Sequence, residues 1–192
     1  MSTLQATLEE NWQEVGVEGI RPALGGPEYL VTRYEGYVQD GLLNVYRYEI
    51  DKSRAQKQEI RHLERDVKSA DWDNTGSSSH RHMMAVVCWH IIHDLGRDYV
   101  VGQEYPIRGQ YFDVADSQGL LPFEVGTYGE QVKLKTLFQA GAMCRAFKGD
   151  EPTPNGVGRV AFVPYPDSKS SVKQSSATLP VYVVTNEWMV GL

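Results

Sequence analysis

Two cysteines, Cys88 and Cys144, are too few for a disulfide framework and lack the paired spacing of a zinc finger. No apolar run approaches ~18 residues, so no membrane-spanning helix, and no membrane partner, is expected. The start, Met1-Ser-Thr-Leu-Gln, has neither a basic cluster nor an apolar stretch, so no signal peptide is expected. A reducing cytoplasm is the expected location. Positive charge is also scarce: 19 Lys and Arg stand against 25 Asp and Glu, a formal net charge of −6. That excludes coating of nucleic acid by bulk charge and leaves a local basic surface open. What is present is ordinary: 192 residues, 41% hydrophobic, suit one domain, or one domain with a small appendage, able to build a core without staples.

The charge is uneven along the chain. Residues 1–51 carry 9 acids and 3 bases, residues 52–70 carry 3 acids and 6 bases, and residues 71–192 carry 13 acids and 10 bases. The one basic stretch runs from Lys52 to Lys68. It reads as a helix, because Ile60, Leu63, Val67 and Ala70 recur at three/four spacing. So narrow a stripe suits a two-helix seam better than a deep core. Two readings stay open. One is a solvated charged face. The other is a dimer-forming helix, or one that tracks DNA phosphates through Arg54, Lys57, Arg61 and Arg65.

Spacing predicts a helix over residues 1–15 (Leu4, Leu8, Trp12, Val15), broken by Pro22 and Gly25-Gly26-Pro27. Tyr29 to Tyr37 and Leu42 to Ile50 alternate as strands, with the hairpin signal Asp40-Gly41 between them. After the basic helix, the run from Asp73 to Ser79 is small and polar throughout and reads as a linker. It divides an N-terminal appendage, residues 1–75, from a main domain, residues 76–192. The main domain is expected to run as a helix from His80 to Leu95 stopped by Gly96, then strands at Tyr99–Tyr105, Gln110–Asp116 and Leu120–Val125. A helix from Glu130 to about Phe147 and strands at Val160–Val163 and Leu179–Val184 follow. Helix, three-strand meander, crossover helix, strand is a compact α/β unit.

The chemistry concentrates in one hairpin. With Gln118-Gly119 as a two-residue turn, residues whose numbers sum to 237 face each other, which sets Asp113 opposite Glu124. Phe112, Val114, Phe123 and Val125 then share one face and the two acids the other. Opposed residues have Cβ atoms ~5 Å apart, and like charges so close repel. A divalent cation is one offset, and two carboxylates with a backbone carbonyl suit hard Mg²⁺. A one-residue slip of the turn, or solvation of one carboxylate, is the other way out.

Asp113, then Glu124-x-Gly126 eleven residues on, then a helix, resembles the PD-(D/E)XK nuclease superfamily, in its Holliday-junction-resolvase-like, archaeal or viral types. The likeness covers residues 80–165, a little under half of the chain, and includes Gly129 to Ala142 as the crossover helix and Val160 to Pro164 as the next strand. It implies a restriction-endonuclease-like core carrying an N-terminal hairpin-plus-helix appendage. It further implies a metal-dependent nuclease that hydrolyses DNA phosphodiester bonds. Asp113 and Glu124, helped by the Val125 carbonyl, would hold Mg²⁺, with Mn²⁺ as a substitute. A viral member would work in the host cytoplasm.

The family's lysine, two residues after the glutamate, is Gly126 here. At ~100° per residue, Lys133 lies just outside the apolar stripe of the following helix and is its nearest substitute, ahead of Lys135, with Gln131 bordering the other edge. Glu104 is either an extra ligand or an exposed strand-end carboxylate. His80 and His82 are either auxiliaries facing the metal or polar helix-start residues. His90, His93 and Asp94 lack a fourth zinc ligand. Cys88 and Cys144 read as core. Family members are often dimers, and Ile60–Leu63–Val67 and Leu179–Val184 are the candidate contacts. Two alternatives remain: a catalytically degenerate DNA-binding or viral assembly protein on the same core, and a protein-interaction module working through the Tyr-rich hairpin at 29–50.

Overall fold

The alternating segments pair into one mixed sheet. A computed structural model describes residues 13–20, 28–38, 41–70, 77–104, 111–117, 121–127, 159–165 and 177–185. Its strands are β1 (Gln13–Ile20), β2 (Tyr29–Val38), β3 (Gly41–Asp51), β4 (Tyr99–Glu104), β5 (Tyr111–Asp116), β6 (Pro122–Thr127), β7 (Arg159–Tyr165) and β8 (Thr178–Thr185). Helices α1 (Lys57–Ala70) and α2 (Ser78–His93) cover it. The order across the sheet is β1-β2-β3-β8-β7-β6-β5-β4. Among the described residues only β6 and β7 pair in parallel. Residues 128–158, which separate β6 from β7 in the sequence and include the expected helix from Glu130, lie outside the described residues.

Several expectations change. Residues 13–15 open a strand, not the end of a helix; residues 1–12 lie outside the described residues. Residues 1–75, read as an appendage, contribute three strands to the common sheet, because β3 pairs with β8 from Asn44↔Thr185 to Asp51↔Thr178. That pairing sets β8 in the interior of the sheet, so Leu179–Val184 is no dimer edge. The stripe Ile60, Leu63 and Val67 is likewise taken up, buried in the α1–α2 seam of one chain. The hairpin's Tyr29, Tyr34, Tyr46 and Tyr48 are core residues rather than a docking face.

The core lies between α2 and one face of the sheet. It takes alternate residues from each strand: Tyr46, Tyr48 and Ile50; Phe123 and Val125; Ala161, Val163 and Tyr165; Val181 and Val183. Every residue of α2 from Met83 to Ile91 is buried, because the helix runs between the sheet and α1. At about 1.5–3 kcal/mol for each buried large apolar side chain, this layer supplies most of the drive to fold. Burial also pushes the Cys88 thiol well above its ordinary value, as suits a core residue. No helix among the described residues is long and apolar enough to cross a membrane.

A polar cluster is sealed under this layer. Tyr48 Oη donates to His90 Nε2 at 2.8 Å, and His90 Nδ1 donates to Asp94 Oδ2 at 2.7 Å. Asp94 also accepts from Tyr29 Oη and, at 2.9 Å, from Arg54. Burial pushes the Asp94 carboxyl up, but His90, Tyr29 and Arg54 together hold it below the usual range. His90 and His93 therefore do not join in a zinc site: His90 is sealed, while His93 is exposed and paired with Glu59. Arg54, a candidate DNA contact, is instead committed to Asp94 and stacks over Trp89.

Burial holds His90 below its ordinary value. The unfolded chain then binds a proton near pH 6.5 that the folded chain refuses, so stability should fall as pH drops below about 6.5, until folded His90 also titrates. Urea denaturation from pH 7.5 to 5.5 should show a loss steeper than that of His90→Gln, by up to about 1.4 kcal/mol per pH unit. Equal slopes would show that His90 carries no buried proton deficit.

Candidate metal and nucleic-acid site at the open end of the β5–β6 ladder

Strands β5 and β6 pair through Val114↔Phe123 and Ala115↔Pro122, the register in which residue numbers sum to 237. Buried Asp116 pins that hairpin: its Oδ2 accepts from Leu121 N at 2.8 Å and faces Arg97 at 3.5 Å. The ladder stops one residue before Asp113 and Glu124. Asp113 fills the gap, its Oδ2 accepting the Val125 N–H at 2.8 Å in place of a strand partner. Opposite, the flanking pairs of β4 set Gly102 against Asp113, with φ 61, a left-handed conformation that favours glycine. β4 ends at Glu104; the side chain of Glu104 lies outside the described residues.

The start of α2 stands over this gap. Ser77 caps the helix by accepting from His80 N at 3.1 Å. One turn in, His80 Nε2 donates to Asp113 Oδ1 at 3.2 Å, and Tyr165 Oη, at the end of β7, reaches His80 Nδ1 at 3.4 Å. Asp113 is thus held on both oxygens, by a backbone amide of β6 and by a helix-borne imidazole. Burial, then the charge of Asp113, push the Glu124 carboxyl up to about 8. The two acids therefore feel each other, as the register requires.

Two carboxylates form an oxygen-only donor set, which fits Mg²⁺ because that ion keeps several waters of its own. Among the described residues no group of three His, Cys, Asp or Glu is arranged around one point. A scan of family models and searches of curated proteins and of solved structures find no match to this chain.

Not every residue singled out in the sequence meets at this point. His82 turns away, its Nδ1 donating to Glu64 on α1 at 2.6 Å. Arg61 and Arg65 line a cleft between α1 and the start of α2 together with Lys68 and Arg81, and Lys57 is exposed. Lys133 and Gln131 lie outside the described residues, as does Cys144. Sequence reasoning missed Tyr165 and Asp116. Tyr165 comes to His80 only through the parallel register Thr127↔Tyr165. Asp116 had a faint signal: it closes a strand at a turn, where a side-chain carboxylate serves backbone N–H groups.

Gly126 has a steric explanation. A Cβ there would meet Phe162 Cε2 at 3.1 Å, and Phe162 is buried. A lysine in the family's position would have to displace that ring. Gly126→Ala should therefore destabilise by about 1–3 kcal/mol, the overpacking range. Thermal melts should show this, and Phe162→Leu should relieve part of the clash on its own background. An unchanged melting temperature would mean the ring yields freely.

Proposed function

We propose that this protein hydrolyses DNA phosphodiester bonds in a divalent-cation-dependent reaction at Asp113 and Glu124. The observation that carries the reading is the meeting of these two acids where the antiparallel ladder opens. The neighbouring order β4-β5-β6-β7, with a parallel last pair, supports it, being a meander followed by a crossover as the PD-(D/E)XK resemblance implies. The carboxyl ends of β6 and β7 lie beside the acids, and ligands of sheets with parallel strands gather at such ends.

Asp113, Glu124 and the Val125 carbonyl would hold Mg²⁺, or Mn²⁺ in its place. Bound there, the ion supplies charge for a phosphate oxygen and an acidified water. The chain's own contribution is orientation. Val125 N–H and His80 fix Asp113, and Tyr165 fixes the His80 ring with its Nδ1 as acceptor. Burial of Glu124 keeps its carboxylate poorly hydrated and therefore avid for a cation. Lys133 and Glu104 complete the proposal from the sequence side.

One observation favours a second reading, a binding protein that does not cut. Gly126 stands where the family carries its lysine, and a Cβ there would crowd the Phe162 ring at 3.1 Å. Incubation with supercoiled plasmid and with branched DNA, in Mg²⁺, in Mn²⁺ and in chelator, separates the two. Cation-dependent cleavage is expected. Salt-sensitive binding without cleavage favours the second reading, and no binding at low salt overturns both.

A further inference from the structure

Among the described residues, several arginines are committed to acids. Arg33, Arg47, Arg54 and Arg97 are each paired with an acid: Glu35, Glu49, Asp94 and Asp116. On α1 the acids are engaged instead. Glu59 holds His93, Glu64 holds His82, and Asp66 accepts from Tyr99 at 3.3 Å and faces His62 at 3.6 Å. Arg61, Arg65 and Lys68 have no ion pair or hydrogen bond to another described residue, and all three are exposed. They stand along one wall of an open cleft of about 670 Å³, whose other wall is Ser78 and Arg81 of α2.

We infer that this cleft binds the phosphate backbone of a nucleic acid strand and leads it towards the His80–Asp113 end of the sheet. The choice of nucleic acid rests on the reading above; the cleft itself does not depend on cleavage. Arg61, Arg65 and Lys68 sit at i, i+4 and i+7, so at 1.5 Å per residue they span about 10 Å on one side of α1. That is a row about three phosphate steps long at 3.4 Å each along a duplex axis, where a small anion would need convergent donors. The one acid in the described lining, Glu64, is engaged by His82. No aromatic side chain among the described residues lines the cleft, so stacking on bases contributes nothing and binding is indifferent to sequence. Ser78 and Arg81 flank His80 in the sequence of α2, and His80 is the residue of that helix that holds Asp113. Arg61 and Arg65 follow from the sequence; the tertiary structure adds Lys68 and Arg81 and removes Arg54.

The test uses the full chain in chelator, so that no cleavage intervenes, with fluorescently labelled single-stranded and duplex oligonucleotides of mixed sequence and with polyglutamate as a competitor. Arg61→Ala/Arg65→Ala/Lys68→Ala is expected to weaken duplex binding about 100-fold or more at 0.1 M salt. The same triple variant should make the slope of log K against log salt shallower by about 2.7. The three side chains are exposed and uncommitted, so its melting temperature should match the wild type. Charge reversal, Arg61→Glu/Lys68→Glu, should abolish binding and gives a second variant of the same surface. An unchanged slope overturns the proposal, as does competition by polyglutamate at equal charge, which would mark an acidic protein as the occupant. Slope-dependent binding by a protein that never cuts DNA keeps the cleft and rejects the nuclease. Cleavage by the triple variant with unchanged KM does the reverse.

Discussion

Asp113→Asn and Glu124→Gln are each expected to lower divalent-cation-dependent DNA cleavage by about a thousandfold or more. Losing a carboxylate from a two-carboxylate site removes several kcal/mol of charge stabilisation, and each 1.36 kcal/mol is tenfold in rate. The amides are chosen over alanine for a structural reason. Asp113→Asn keeps an acceptor for the Val125 N–H, the bond that holds the ladder's open end at 2.8 Å. A rate loss in a protein of unchanged melting temperature then reports lost charge and not a collapsed hairpin.

Glu124→Gln carries a second expectation of opposite sign. Burial and the Asp113 charge oppose the ionised form of Glu124. A neutral amide removes that repulsion, so the variant should melt higher than the wild type in chelator, although it cleaves less in Mg²⁺. Adding Mg²⁺ should raise the wild-type melting temperature and leave the variant's unmoved, since a ligand stabilises only a fold that binds it. Plasmid nicking and thermal melts, each with and without Mg²⁺, supply the four numbers needed. Cleavage that survives in both amide variants would move the chemistry away from this site.

The second large effect is on stability. Asp94→Ala should destabilise the fold by about 2–5 kcal/mol, because it strands two buried donors at about 1–3 kcal/mol each, while the partly exposed Arg54 can turn to water. Asp94 is 1% exposed and accepts from His90, Tyr29 and Arg54. Its two buried donors, His90 and Tyr29, have no water to turn to once the carboxylate is gone. A domain of this kind has only about 5–15 kcal/mol in all. Tyr29→Phe is the internal comparison: it removes one donor while leaving Asp94 with two, and should destabilise by about 1–2 kcal/mol. Urea denaturation of the three proteins at pH 7.5 reads both. A loss below about 1 kcal/mol for Asp94→Ala would mean that the cluster relaxes around the gap and does not tie α2 to β2.

Much of this was legible in the residue order, and the reason is local. A strand shows in the alternation of its own side chains, so β2, β3, β5 and β8 could be placed to within a residue or two at each end. The α1 stripe foretold a two-helix seam, though not that α2 of the same chain is the partner. The hairpin register followed from one turn and one sum, and with it the meeting of Asp113 and Glu124. The first strand was misread because Leu4, Leu8, Trp12 and Val15 share a helical spacing that so short a segment cannot enforce. From Gln13 onward, pairing with β2 prevails over periodicity.

What the sequence by itself determined is thus strands β2 to β8, the two described helices, the hairpin register and the acid pair, all properties of residues near one another along the chain. Tertiary structure alone decided who lies next to whom across long separations. It set β3 against β8, Asp94 against Arg54, Phe162 against Gly126, Tyr165 against His80, and the cations of α1 against the start of α2. Those contacts depend on which strand is inserted between which others and on how a parallel crossover returns. Neither leaves a period or a composition signal to read, because the energy that selects them resides in packing between segments.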